Sequence, residues 1–235
     1  MTKLTGTEPN LKVMTALNDN LEDWRSKLES SRHGLKLKWD WTENHKSRDI
    51  NEARTKGKYF GAKYIIHRPA LEYLLNRPWS QRQPHTSQAV HESAMSHRDE
   101  HKGSDRTASP DSQDSSTVDD QRIWDAARVC IEAAKRSTTV FDDIPPPLIL
   151  TNIYGTAQAQ YGNVLVLMGA YQSGTSLADL LDRRTMSALL DRTIRFLRDY
   201  KGCSPGMCKD IAILEKLKKR CFFDDEAYLV RARRN

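Results

Sequence analysis

An all-α fold is predicted by three observations. Apolar residues recur every three to four positions in segment after segment; no stretch alternates with the period of two that a half-buried strand requires; and one long polar interval divides the helical parts. The interval is Ser80–Asp120, which contains no Leu, Ile, Phe, Tyr or Trp, nine Ser, and four of the chain's seven His. Acidic residues outnumber basic ones there by eight to four. Such a segment buries too little apolar surface to offset the entropy of ordering its backbone, so it is expected to be a disordered linker. The expected organisation is a first helical half (1–79), the linker (80–120), and a second helical half with a basic tail (121–235).

In the first half, Met14, Leu17, Leu21, Trp24 and Leu28 form one stripe at helical spacing. Arg32–Trp41 reads as a break, with His33-Gly34 as the turn. The Asp49 carboxylate suits an N-cap, opening a helix through Ala53, Phe60, Tyr64 and Ile65. Pro69 is expected to interrupt that helix, because proline has no donor for the helical ladder, and a further helix would restart with Pro69 in its first turn. Gly57 and Gly61, four apart, predict close approach of a neighbouring helix.

In the second half, Ile123, Ala127, Cys130, Ile131 and Ala134 mark an amphipathic helix ending before Pro145-Pro146-Pro147. Thr151 or Asn152 can cap the next, Ile153 to about Tyr171, which is apolar round most of its circumference and so predicts a central buried helix. Two more helices follow, near Thr185–Tyr200 and Gly206–Arg220.

Of the 235 residues, 38% are hydrophobic and 29% charged, and the net charge is +6. With 80–120 set aside, 33 basic and 23 acidic residues remain, giving the ordered parts +10. A basic body permits weak, salt-sensitive adhesion to nucleic acid without sequence discrimination. No apolar run approaches the ~20 residues of a membrane helix, and the first ten residues lack the apolar core of a signal peptide. Cys130, Cys203, Cys208 and Cys221 form no CxxC pair, so reduced thiols are expected and no metal or cofactor is implied by them.

Several segments resemble, in order, the regulatory region of fungal Zn2Cys6 (binuclear zinc cluster) transcription factors. They are the helix around Trp24-Arg25, LKWDW (Leu37–Trp41), DINEAR (Asp49–Arg54), AKYIIHRPALEYLL (Ala62–Leu75), the helix around Ala126–Cys130, TNIYGTAQAQYGNVLVLMGAY (Thr151–Tyr171) and LLDRTIRFL (Leu189–Leu197). The family reads DNA through a module in which six thiolates share two zinc ions. That cysteine pattern is missing here, with no Cys before Cys130. The resemblance therefore implies the regulatory region without its zinc cluster: a nuclear, non-enzymatic domain controlling RNA polymerase II transcription through protein contacts or effector sensing. The implied partners are the transcription machinery or related factors, in a homo- or heterodimer, with non-specific DNA contact only and no membrane. The alternative is a stand-alone helical interaction protein, a paralogue without DNA binding. A small helical enzyme is the third possibility, although no G-x-S-x-G, H-E-x-x-H or G-x-G-x-x-G motif occurs.

Candidate residues follow from these readings. Tyr154, Gln158 and Tyr161 could line an effector cavity, where apolar walls carry a few placed polar groups. Lys216, Lys218, Lys219, Arg220, Arg231, Arg233 and Arg234 are candidate nuclear-import or phosphate-contact residues. His67 is expected to be a helix-end histidine that satisfies a local carbonyl. His85, His91, His97 and His101 have no scaffold to fix metal geometry.

Overall fold

The computed structural model describes residues 8–30, 41, 47, 49–77, 111–145 and 152–223, with 111–117 and 223 described by their backbone alone. They fold into six helices: α1 (Leu11–Ser30), α2 (Ile50–Asn76), α3 (Asp111–Thr139), α4 (Ile153–Tyr171), α5 (Arg183–Asp199) and α6 (Pro205–Lys218), the last continuing into a π turn at Lys219–Phe223. No strand occurs among the described residues.

Local chemistry sets most helix starts. The side chain of Asn10 accepts from the Val13 amide, and Asp49 accepts from the amides of Asn51 and Glu52. Asn152 accepts from Gly155, Asp182 from Thr185, and Ser204 from Gly206 with Pro205 in the first turn. Each cap satisfies donors that a helix start leaves orphaned, a contribution of about 1 kcal/mol apiece.

Each helix packs on its successor, with α2 against α3 the most extensive pairing, and α4 also touching α2. One apolar core runs from Met14 on α1 to Phe222 beyond α6, with Leu71, Leu74, Ile123, Ile131, Leu167, Leu190, Leu197, Met207 and Leu214 among its fully buried side chains. α4 contacts α2, α3 and α5, as a central helix would, but it is not buried all round: Tyr154 is exposed and Tyr161, Leu165 and Val166 are only partly buried. Of the two glycines, Gly57 lies closer to the end of α3: a Cβ there would lie 3.4 Å from Val140 Cγ1, against 3.9 Å from Ser137 Oγ for Gly61.

The C-terminal end of α3 is buried, and its orphan carbonyls are met by side chains from elsewhere. Gln160 Nε2 donates to the Ser137 carbonyl at 2.8 Å. Arg192 reaches the Thr138 carbonyl and the Asp142 carboxylate. Ser47 Oγ donates to the Val140 carbonyl at 3.3 Å. Three separate segments thus hold one helix end.

Three expectations are corrected. α2 is not interrupted at Pro69 but runs through it to Asn76. Pro69 lies on the exposed side of the helix, while Tyr64, His67, Ala70, Leu71 and Leu74 are buried on both sides of it, so tertiary packing overrides the local cost. The last ten residues of the polar interval, Asp111–Asp120, form the first turns of α3, whose Asp120 carboxylate accepts from Arg77 at 2.6 Å; residues 80–110 lie outside the described residues. The stripe on α1 is only partly used: Met14 is buried, but Leu17 and Trp24 are exposed. The expected break lies outside the described residues except for Trp41.

Candidate functional site

A cavity of about 300 Å³ lies where α1, α2 and α3 come together, walled by Glu22 and Arg25 of α1, Tyr59, Phe60 and Lys63 of α2, Val129, Glu132, Ala133 and Arg136 of α3, and by Trp41. Helical spacing builds its walls. Tyr59 and Lys63, four apart, share one face of α2, as Glu132 and Arg136 do on α3, and Glu22 and Arg25, three apart, do so on α1.

Glu22 organises one wall. Its Oε1 accepts from the Tyr59 hydroxyl at 2.6 Å and from Lys63 Nζ at 2.7 Å, and its Oε2 accepts from Arg25 Nε at 2.9 Å. Lys63 Nζ also donates to the Tyr59 oxygen at 3.1 Å. Burial pushes the Glu22 carboxyl up, but the hydrogen bonds from Lys63 and Tyr59 outweigh it and leave the group below the ordinary carboxylate value. Burial, reinforced by the hydrogen bond to Glu22, raises the Tyr59 phenol. Burial opposes the Lys63 charge, and the bonds to Glu22 and Tyr59 more than restore it. At neutral pH the cluster is therefore a carboxylate, a neutral phenol and an ammonium. Neither Tyr59 nor Lys63 is poised as a base or nucleophile, and the arrangement is suited to binding.

The second wall is aromatic. The Trp41 and Tyr59 rings meet edge to face at 4.9 Å, and Tyr59 and Phe60 at 5.1 Å. Arg25 Cζ lies 6.0 Å from the Trp41 ring centre and 5.8 Å from that of Tyr59. Opposite, Arg136 Cζ lies 5.4 Å from the Phe60 ring, while its Nε donates to Glu132 at 2.8 Å and its Nη1 to the Trp41 carbonyl at 3.0 Å. Arg136 therefore fixes Trp41 to α3 by its backbone.

The residues singled out in the sequence lie elsewhere. Tyr154 is 51% exposed. Gln158 donates to Asp210 at 2.8 Å, tying α4 to α6, and Tyr161 is partly buried against the core. None of these three lines the cavity, because α4 turns its inward face to the core and presents Tyr154 to solvent. In the basic cluster, Lys216, Lys219 and Arg220 are exposed, whereas Lys218 is paired with Asp191 of α5. Arg231, Arg233 and Arg234 lie outside the described residues, as do His85, His91, His97 and His101. His67 does bond a local carbonyl, that of Lys63 at 2.8 Å, but from a buried mid-helix position.

Sequence reasoning missed the cavity residues. The signal available was the spacing of Glu22/Arg25, Tyr59/Lys63 and Glu132/Arg136, each a complementary polar pair one helical turn apart. Among the described residues no group of three His, Cys, Asp or Glu could hold a metal ion, and the thiols are dispersed, with Cys130 buried and Cys203 and Cys208 exposed. The donor set of a zinc cluster is not assembled there. No described helix is long and apolar enough to cross a membrane. Comparison of the chain with protein families, with curated proteins and with solved structures found no match.

Proposed function

We propose that this chain is the regulatory, non-DNA-reading part of a fungal zinc-cluster-type transcription factor, acting in the nucleus on RNA polymerase II transcription through protein contacts or effector sensing and without bond chemistry. One observation carries the reading. The segments that resemble the family are those whose described residues form a single helical body, and those around Trp24-Arg25, Leu37–Trp41, Ala62–Leu75 and Ala126–Cys130 each contribute a wall residue to one cavity: Arg25, Trp41, Lys63 and Val129. A body of this kind holds an effector against helices that a partner can read. Contact with DNA is non-specific, through the basic surface, and the partners are the transcription machinery or related factors.

The test is a tethering assay. The whole chain is fused to an unrelated DNA-binding domain in a fungal cell carrying the matching reporter. Reporter output should change several-fold in either direction relative to the DNA-binding domain alone. An expressed, nuclear fusion that leaves the reporter unchanged would remove the transcriptional role. A second reading, a stand-alone helical interaction protein, is favoured by exposed Val13, Leu17 and Trp24 on α1. It predicts a stable complex with another helical chain in place of a reporter response.

A further inference from the structure

We infer that the cavity between α1, α2 and α3 binds a small planar aromatic monoanion, an aromatic carboxylate, with Arg25 and Arg136 as its anion-binding pair. The inference rests on the regulatory reading for what occupancy would control, while the binding itself is argued from the cavity alone.

Size comes first. A volume of about 300 Å³ is at the low end of the ~300–1,000 Å³ range of small-molecule sites, which suits one or two fused rings. The chemistry of the walls comes second. Trp41, Tyr59 and Phe60 meet edge to face, at interplanar angles of 63°, 68° and 72°. Such a set presents ring edges and faces against which a flat ring can pack.

Charge selects the class. Among the described lining residues, Arg25 and Lys63 pair with Glu22 on one side and Arg136 with Glu132 on the other, three bases to two acids. Lys63 is committed to Glu22 and Tyr59. Arg25 uses Nε on Glu22, with Nη1 3.6 Å from Glu29. Arg136 uses Nε on Glu132 and Nη1 on the Trp41 carbonyl. Among the described residues, no partner takes the Nη2 of either guanidinium, which leaves that edge as the donor for an incoming acceptor, from α1 on one side and α3 on the other. A carboxylate has two oxygens, one for each. An aromatic cage of this composition would otherwise invite a quaternary ammonium. Here Arg25 and Lys63 already lie over Tyr59, Arg25 over Trp41 and Arg136 over Phe60, so a cationic ligand would meet three like charges.

The experiment is isothermal titration of the whole chain with benzoate and indole-3-acetate, with benzamide and indole-3-acetamide as neutral isosteres, and with benzyltrimethylammonium. At least one carboxylate should bind saturably at one site, about tenfold or more tighter than its amide, for the loss of a charge-assisted contact. The ammonium probe should give no saturable heat. Arg25→Gln and Arg136→Gln should each weaken the carboxylate by about tenfold, whereas Arg195→Gln, on the exposed face of α5, should leave it unchanged. No saturable binding of either carboxylate, an amide as tight as its acid, tighter binding of the ammonium, or full affinity in folded Arg25→Gln and Arg136→Gln would each overturn the inference. The acid-against-amide comparison uses the unaltered chain and stands even if a variant does not fold. Binding without a reporter response would keep the site and discard the transcriptional role; a reporter response without binding would do the reverse.

Discussion

Replacing Pro69 by Ala tests how far tertiary packing bends local preference in α2. The helix carries this proline twenty residues into its 27. Proline there removes the amide that would bond the Ile65 carbonyl and crowds that carbonyl with its ring, a cost of about 3 kcal/mol in a helix interior. Two effects shrink what Ala can recover. Ile65 is 66% exposed and Pro69 is exposed as well, so the restored bond competes with water and is worth only about 0.5–1.5 kcal/mol net. Ala also returns about 0.4–1 kcal/mol of backbone freedom to the unfolded chain. With relief of the ring contact added, a net stabilisation of about 1–2 kcal/mol is expected. For a chain of this size that corresponds to a rise of roughly 2–8 °C in Tm. The assay is thermal and urea unfolding followed by circular dichroism at 222 nm, a wavelength that reports helix. An unchanged or lowered midpoint would refute the reasoning. It would mean that the proline sets the direction in which Leu71 and Leu74 enter the core, so that straightening the helix costs more packing than the bond returns.

Lys56 and Glu52 form an ion pair at 2.9 Å with side chains 4% and 0% exposed. Lys56→Met removes the cation 2.9 Å from a fully buried carboxylate and should destabilise, by at most about 3–5 kcal/mol, measured by urea unfolding; an unchanged midpoint would show that the pair contributes nothing to stability. Burial holds the His67 imidazole below its ordinary value of 6.5, opposed by its bond to the Lys63 carbonyl. The unfolded chain therefore takes up the proton first, so the His67 contribution to stability is full above about pH 6.5 and lost as pH falls from there through the folded value. Unfolding midpoints across this window should slope upward with pH, and the slope should flatten in His67→Gln; an unaltered slope would count against it. Burial pushes the Cys130 thiol up to about 12, so iodoacetamide at mildly alkaline pH should label exposed Cys203 and Cys208 and spare Cys130 until the chain is denatured, as read by peptide mass spectrometry.

Where structure depends on neighbouring residues alone, it was legible. Asp49 announces the start of α2, and Thr151 or Asn152 that of α4, where Asn152 is the cap observed, because a cap needs only an oxygen a few residues ahead of an amide. The Ile123–Ala134 stripe identified the buried face of α3 for the same reason: the helical period is local. The run of α2 through Pro69 and the start of α3 inside the polar interval are both decided at a distance, the first by apolar side chains flanking the proline, the second by a helix that carries Asp120 to Arg77. The cavity was the least legible. Its walls come from positions 22–25, 41, 59–63 and 129–136, and only the fold brings them together. Tyr154, Gln158 and Tyr161 had the right composition for a binding wall but lie on a helix whose inward face is spent on the core.

The slight attachment of α1 has a consequence for how such a site would work. Of its twenty residues only Met14 is buried, and among the described residues its hydrogen bonds to α2 are those that Glu22 accepts from Tyr59 and Lys63. By the logic of local unfolding, α1 should be the first helix to open, with amide exchange far faster than in the paired α2 and α3. Because Glu22 and Arg25 travel with it, the opened form has no complete cavity. Filling the cavity and docking the helix are then one equilibrium seen from two ends, and any ligand that closes α1 must be released more readily whenever something else draws α1 away.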